Sequence, residues 1–306
     1  MLKSQYEPKY ISSGSNIPKI SLFENKRYKF LVGLHNGFTP LELQRELNWT
    51  NEELQSETAI LKDNGYLKEF GKNDFVPSVS IVTLEEGNRM FKQSEKVALT
   101  IVAAINEIEP NIRKIFKKME VSNSVEYEQF SFFLLSNVLL DNWQINNVEN
   151  QFLKKKRTLR HGSRYYLQLR EKNPLSKREA FGIYGNQYYC KDGICYVVYG
   201  NNRINNELAF EELVRLDIPS LTISDQNLLQ SMSNLFSPRL IEILMENREY
   251  FLKIFNRSIY QKELTFEEYF IWFYHFLYTR ATDILHLQGV IIIPESGIYR
   301  VRLDKH

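Results

Sequence analysis

The tightest constraint on this chain is local. Twice between residues 39 and 53 a threonine is followed three positions later by a glutamate, in Thr39-Pro40-Leu41-Glu42 and in Thr50-Asn51-Glu52-Glu53. Each is a capping box: the Thr side chain takes a backbone N–H of the first helical turn while the Glu reaches back to the Thr N–H. Pro40 suits the first helical position, where its missing N–H would go unused. One helix therefore runs to about Leu47. After the link Asn48-Trp49 another follows, with Leu54, Thr58 and Leu61 as its inward stripe and Asn64-Gly65 as its end. Ahead of both, Lys26 to His35 carries Tyr28, Leu31, Val32 and His35 along one stripe and stops at the left-handed cap Asn36-Gly37. Behind them Tyr66 to Phe70 alternates like a strand, Gly71-Lys72-Asn73-Asp74 is a turn, and Val79 to Leu84 is β-branched and apolar. That pattern predicts a two-stranded hairpin.

From Leu22 to about Met90 this order of elements resembles the winged helix-turn-helix of bacterial regulators of the MarR, PadR and ArsR type. The parts that carry the resemblance are the spacing through Leu54, Leu61 and Asn64-Gly65-Tyr66-Leu67, and the exit segment Val82-Thr83-Leu84-Glu85-Glu86-Gly87. The resemblance implies duplex DNA as partner, with the third helix in the major groove and the wing on the adjacent backbone. The outward residues of that helix are drawn from Asn51, Glu52, Gln55, Ser56, Glu57, Ala59 and Lys62. Asn51 and Gln55 suit adenine and Ser56 suits phosphate, while Arg45, Lys68 and Lys72 sit on elements able to flank a backbone. Against this, Glu52, Glu53, Glu57 and Asp63 outnumber Lys62, and phosphate repels an acidic helix. Use of the winged helix for protein docking therefore stands beside DNA binding as the second reading.

A formal net charge of +2 over 306 residues gives no bulk attraction to nucleic acid, so any binding face must be local. The pattern divides into a flexible arm over residues 1–20, the winged helix over 21–90, a connecting helix over 91–120 and an α+β domain over 121–306. Met1 to Pro18 lacks the apolar core of a signal peptide. Phe270 to Leu277 is short for a bilayer and is flanked by Glu267, Glu268, Arg280 and Asp283. A cytoplasmic protein without membrane contact is expected. The connecting helix carries Met90, Phe91, Val97, Ile101, Ala104 and Ile105, is expected to break or kink near Pro110, and resumes through Ile112, Ile115 and Phe116. In related regulators this helix pairs with its twin, which implies a homodimer; packing against the chain's own C-terminal domain is the alternative.

Val125 to Phe152 is dense in Phe, Leu and Val and reads as core helix. Lys154, Lys155, Lys156, Arg157, Arg160 and Arg164 follow, with His161, Tyr165 and Tyr166 among them, as a candidate anion site whose plain alternative is a solvated face. Two strand-like runs meet at Asp192-Gly193, a type I′ turn signal that sets Cys190 opposite Cys195 as a candidate redox pair; two reduced thiols are the alternative. Helices are expected over Asn206 to Leu216, Asp225 to Phe236 and Pro238 to Phe255, with Asn206, Ser224 and Ser237 as caps, and a long one begins at Thr265-Phe266-Glu267-Glu268. That last helix sets His275, Thr279, Thr282 and His286 on one face, a candidate wall for a small-molecule or peptide pocket, with satisfied core histidines as the alternative. Val290 to Ile293 and Ile298 to Arg302 read as a closing hairpin. The C-terminal domain is thus helix-rich with a small antiparallel sheet. A phosphate-cradling glycine loop, HExxH, a nucleophile elbow and a paired-carboxylate signature are all missing, so no catalytic residue, metal or cofactor is expected. The expected function is a DNA-binding transcription regulator whose C-terminal domain senses a ligand or redox state.

Overall fold

A computed structural model describes residues 4–14, 16–71, 74–172, 184–201 and 208–304. The chain opens with strand β1 (Tyr6–Ile11), where the sequence pattern predicts only a loose arm. Helices α1 (Arg27–His35), α2 (Pro40–Leu47) and α3 (Asn51–Asp63) follow. Both capping boxes close: the Glu42 and Glu53 carboxylates accept the Thr39 and Thr50 N–H groups at 2.7 Å. A Cβ placed on Gly33 would stand 2.2 Å from a Leu43 methyl carbon, so a larger residue there would have to displace the buried Leu43 side chain.

Strand β2 (Leu67–Glu69) pairs antiparallel with β3 (Phe75–Pro77), not with the run after Val79. The residues from Val79 to Val82 are all buried, and β4 (Ser80–Val82) enters a different sheet. A continuous apolar run suits a strand covered on both faces, whereas the partly exposed Phe75 and Val76 suit a hairpin. Next, α4 (Leu84–Phe116) passes unbroken through Pro110. Pro110 and the residue whose carbonyl it deprives, Asn106, are both exposed, so water replaces the lost bond while Ile105 and Ile112 pack opposite.

The aromatic run forms α5 (Tyr127–Ser131), a π-helical stretch Phe132–Val138, α6 (Asn142–Asn147) and a second π-helical stretch Val148–Leu153. Strands β5 (Leu159–Arg160), β6 (Ser163–Arg164) and β7 (Tyr166–Glu171) come next, then the hairpin β8 (Tyr184–Lys191) and β9 (Ile194–Asn201). Helix α7 (Phe210–Val214) is shorter than expected, and Asn206 lies outside the described residues. Strand β10 (Ser220–Leu221) leads into α8 (Ile223–Glu246), capped by Thr222 with Asp225 and not by Ser224. Pro238 again sits on an exposed face four residues after exposed Asn234, so the helix continues and Ser237 is no cap. After α9 (Arg248–Asn256) and α10 (Tyr260–Glu263), α11 (Phe266–Leu287) carries the chain to β11 (Ile298–Leu303). Val290 and Ile291 form no strand: their N–H groups turn back onto the Leu285 carbonyl at 2.9 and 3.3 Å and close α11.

The fold is mixed α+β, and its two compact units interleave along the chain. Residues 1–89, 155–181 and 248–272 make the first; residues 90–154, 182–247 and 273–306 make the second. In the first, β7 is the central strand of the order β1-β7-β4, antiparallel to β1 and parallel to β4. Phe30, Leu43, Leu61 and Tyr66 share one core with Tyr6, Ile81, Leu167 and Leu169 of that sheet. The second unit holds the sheet β10-β11-β9-β8, with β11 antiparallel to β9 and parallel to β10. No described helix is long and apolar enough to cross a membrane.

Candidate functional site

On α3 the acidic residues are arranged differently from the sequence expectation. Glu57 points inward and is 5% exposed, its carboxylate accepting Arg27 Nε at 2.5 Å and Asn25 Nδ2 at 2.6 Å. Arg27 also donates to the Ser21 carbonyl at 3.0 Å and to Glu24 at 3.1 Å. Burial alone would lower its pKa, but the Glu57 and Glu24 carboxylates outweigh that and raise it. With Glu53 engaged in its cap, the exposed residues of α3 are Asn51, Glu52, Glu53, Gln55, Ser56, Ala59, Lys62 and Asp63. Gln44 donates to Asn51 Oδ1 at 2.8 Å, and Lys62 reaches Glu69 on β2 at 2.5 Å. Arg45 is exposed on α2, whereas Lys68 is half-buried in the field of Glu263 and Glu268, and burial lowers its pKa. Lys72 lies outside the described residues.

The basic stretch resolves into different roles. Lys154 is the left-handed residue closing the second π-helical stretch and belongs to the second unit. Lys155 and Lys156 are exposed, Lys155 pairing with Glu267 at 3.0 Å, and Arg157 lies 5.9 Å from the Tyr166 ring centre. Arg160 is not available to an anion. It is buried, donates to the Gly65 and Ser78 carbonyls at 2.7 and 2.8 Å, and pairs with Glu268. Glu268 also accepts Thr158 Oγ1 at 2.9 Å, so the expected capping box at Thr265 is only half made: its hydroxyl takes the Glu268 N–H while the carboxylate serves Arg160.

A third buried ion cluster, with no signal in the sequence, sits in the same unit. His35 Nδ1 faces the Glu263 carboxylate at 2.8 Å and Nε2 faces Glu86 at 2.9 Å. Both ring nitrogens meet acceptors, so both donate and the ring is an imidazolium. Burial would lower its pKa, but the two carboxylates raise it to about 10.

In the second unit the expected pocket wall divides. Thr282 is buried and shares a 2.6 Å hydrogen bond with Ser136, which also bonds the Tyr199 hydroxyl; Thr279 is buried with its hydroxyl unpartnered among the described residues. The His275 ring lies tilted against Tyr278 with ring centres 5.1 Å apart, and exposed His286 faces the Ile291 carbonyl at 3.0 Å. Two residues absent from the sequence expectations stand beside Ser136 instead. Asp141 accepts Asn186 Nδ2 at 3.0 Å and also bonds the Tyr278 hydroxyl. The Tyr278 hydroxyl donates to the Tyr184 carbonyl at 2.6 Å. Burial pushes the Asp141 pKa up to about 8, only partly opposed by these bonds. Asn137, one helical turn earlier, is buried, and both its side-chain amide atoms are unpartnered among the described residues. Polar residues interrupting the apolar run were the only available sequence signal.

Asp192 and Gly193 have φ of 49° and 84°, and the resulting hairpin sets Cys190 opposite Cys195 with Cα atoms 4.2 Å apart and the sulfurs bonded. Cys190 is exposed and Cys195 buried. Among the described residues no group of three or more His, Cys, Asp or Glu is placed to hold a metal. Comparison with protein-family models, curated proteins and solved structures finds no match to this chain.

Proposed function

We propose that the first unit is a winged helix that binds duplex DNA through α3, within a transcription regulator whose second unit senses a small molecule or a redox state. The observation that carries this reading is the removal of one acid, Glu57, from the exposed side of α3, where Glu52, Glu53 and Asp63 remain. Glu57 is neutralised in the interior by Arg27, and Glu53 is engaged by the N-cap, which leaves Asn51, Gln55 and Ser56 on the exposed side. Side chains of these types pair with adenine edges or phosphate oxygens. The buried Asp141 cluster and the cysteine hairpin support a sensing role for the second unit.

The test is an anisotropy titration of the full chain against genomic and random-sequence duplexes at low and moderate salt. Binding whose log K falls with log salt by about 0.9 per neutralised phosphate, weakened by roughly 1–3 kcal/mol in Gln55→Ala on a preferred sequence, is the expected result. A protein-docking role is favoured by a different observation: Leu41 and Phe38 are 61% and 40% exposed, and Glu46 and Glu52 are also at the surface. Absence of DNA binding at low salt would leave docking as the better reading.

A further inference from the structure

We infer that the β5–β6 hairpin is a second contact for the nucleic-acid backbone, mounted on the same unit as α3; the inference rests on the DNA-binding reading of that unit. Residues 154–164 hold six lysines and arginines and no acid. Their fold sorts these cations. Leu159 pairs with Arg164 and Arg160 with Ser163 across a turn made by His161 and Gly162, both left-handed at φ of 43° and 81°. Successive strand residues face opposite sides, so Arg160 goes inward while Leu159 and Arg164 face water.

Arg160 is the mounting. Its guanidinium holds the carbonyl of Gly65, the second residue after α3, and that of Ser78, between β3 and β4. A Cβ on Gly65 would lie 3.5 Å from Arg160 Cγ, so the hairpin is seated against the turn that ends α3. Neighbouring acids take up two of the charges, Glu268 that of Arg160 and Glu267 that of Lys155. Lys156 and Arg164 keep theirs at the surface, with exposed His161 between them in sequence. The Arg164 backbone is fixed by Asn16 Oδ1 at 2.8 Å, and its side chain donates to the Arg157 carbonyl at 2.8 Å, an uncharged partner that leaves the cation unneutralised among the described residues. Unneutralised cations held against the end of a DNA-facing helix meet the same polyanion, because phosphates extend along the duplex past whatever the helix itself covers.

The test uses the full chain and a fluorescein-labelled random-sequence duplex, with affinity measured between roughly 50 and 200 mM salt. The variant Lys156→Gln/Arg164→Gln is compared with Lys117→Gln/Lys118→Gln, which removes the same charge from exposed positions beyond α4. All four positions are exposed, and unchanged thermal melting confirms folding. The hairpin variant is expected to lower the slope of log K on log salt by about 1.8, the value for two phosphates, while the control keeps the wild-type slope. A wild-type slope in the hairpin variant, with DNA still bound, overturns the inference and spares the reading of α3. An equal fall in the control also overturns it, since net charge would then explain the effect. No DNA binding by the wild-type protein at low salt overturns the reading of α3 and the hairpin with it.

Discussion

The two units bury polarity in opposite ways. In the first, charge meets charge from distant parts of the chain: Arg27 on Glu57, Arg160 on Glu268, and His35 between Glu86 and Glu263. In the second, the deep acid Asp141 is met by an amide and a phenol, and the hydroxyls of Ser136, Tyr199 and Thr282 bond to one another. Paired charges fix separate segments rigidly, because parting them strands an ion in the interior. Neutral hydrogen bonds are individually weak and exchange partners at small cost, which is compatible with the sensing role proposed for this unit.

The contrast has a pH signature. His35 is raised from 6.5 to about 10, so its stabilisation is complete below pH 6.5 and is lost as pH rises towards 10. Asp141 is raised from 3.8 to about 8; between those values the folded chain keeps a proton that the unfolded chain has released, and stability falls over that lower window.

The largest expected effect at a single pH that bears on this contrast is that of Arg160→Met, which strands Glu268 and two backbone carbonyls. Urea denaturation should show a loss of about 3–5 kcal/mol, most of it recovered in Arg160→Met/Glu268→Leu. A single-variant cost below about 1 kcal/mol would erase the distinction between the units. Next comes Asp141→Asn, which keeps a hydrogen-bond donor and removes the titration. Its stability relative to wild type should rise between pH 4 and 8 by up to about 1.4 kcal/mol per pH unit, and a difference that stays flat across that range would mean the carboxyl ionises in place. The smallest is Thr282→Val, which deletes one neutral bond and should cost about 1 kcal/mol; a loss matching that of Arg160→Met would make the hydroxyl chain as rigid as the ion pairs.

What the sequence made legible was local. Thr39 with Glu42 and Thr50 with Glu53 act within one helical turn, and Asp192-Gly193 sets the register of Cys190 and Cys195 by itself. Glu57 was misread because its partner Arg27 lies thirty positions away, and the three-residue stripe of α3 gave no sign of it. Strand β1 was missed because its pairing partner β7 follows more than 150 residues later. Asn137 and Asp141 escaped for another reason: π-helical residues 132–138 depart from the 3.6-residue period on which an amphipathic reading depends. Pro110 and Pro238 were taken as breaks because periodicity does not reveal that they, with Asn106 and Asn234, lie on exposed helix faces.

The clasp of His35 by Glu263 has a consequence for biosynthesis. The two residues are 228 positions apart, so a ribosome adding 5–20 residues per second delivers the carboxylate roughly 10–50 s after the histidine. Over that interval α1 to α3 emerge without the β7 side of their core, without Arg160 to hold the end of α3, and then without Glu263 and Glu268. Chains stopped before about residue 263 would leave His35 without its closer acid and Arg160 without Glu268, so lesions near the C-terminus should expose the N-terminal helices to proteases. The helices made first are the last to be finished.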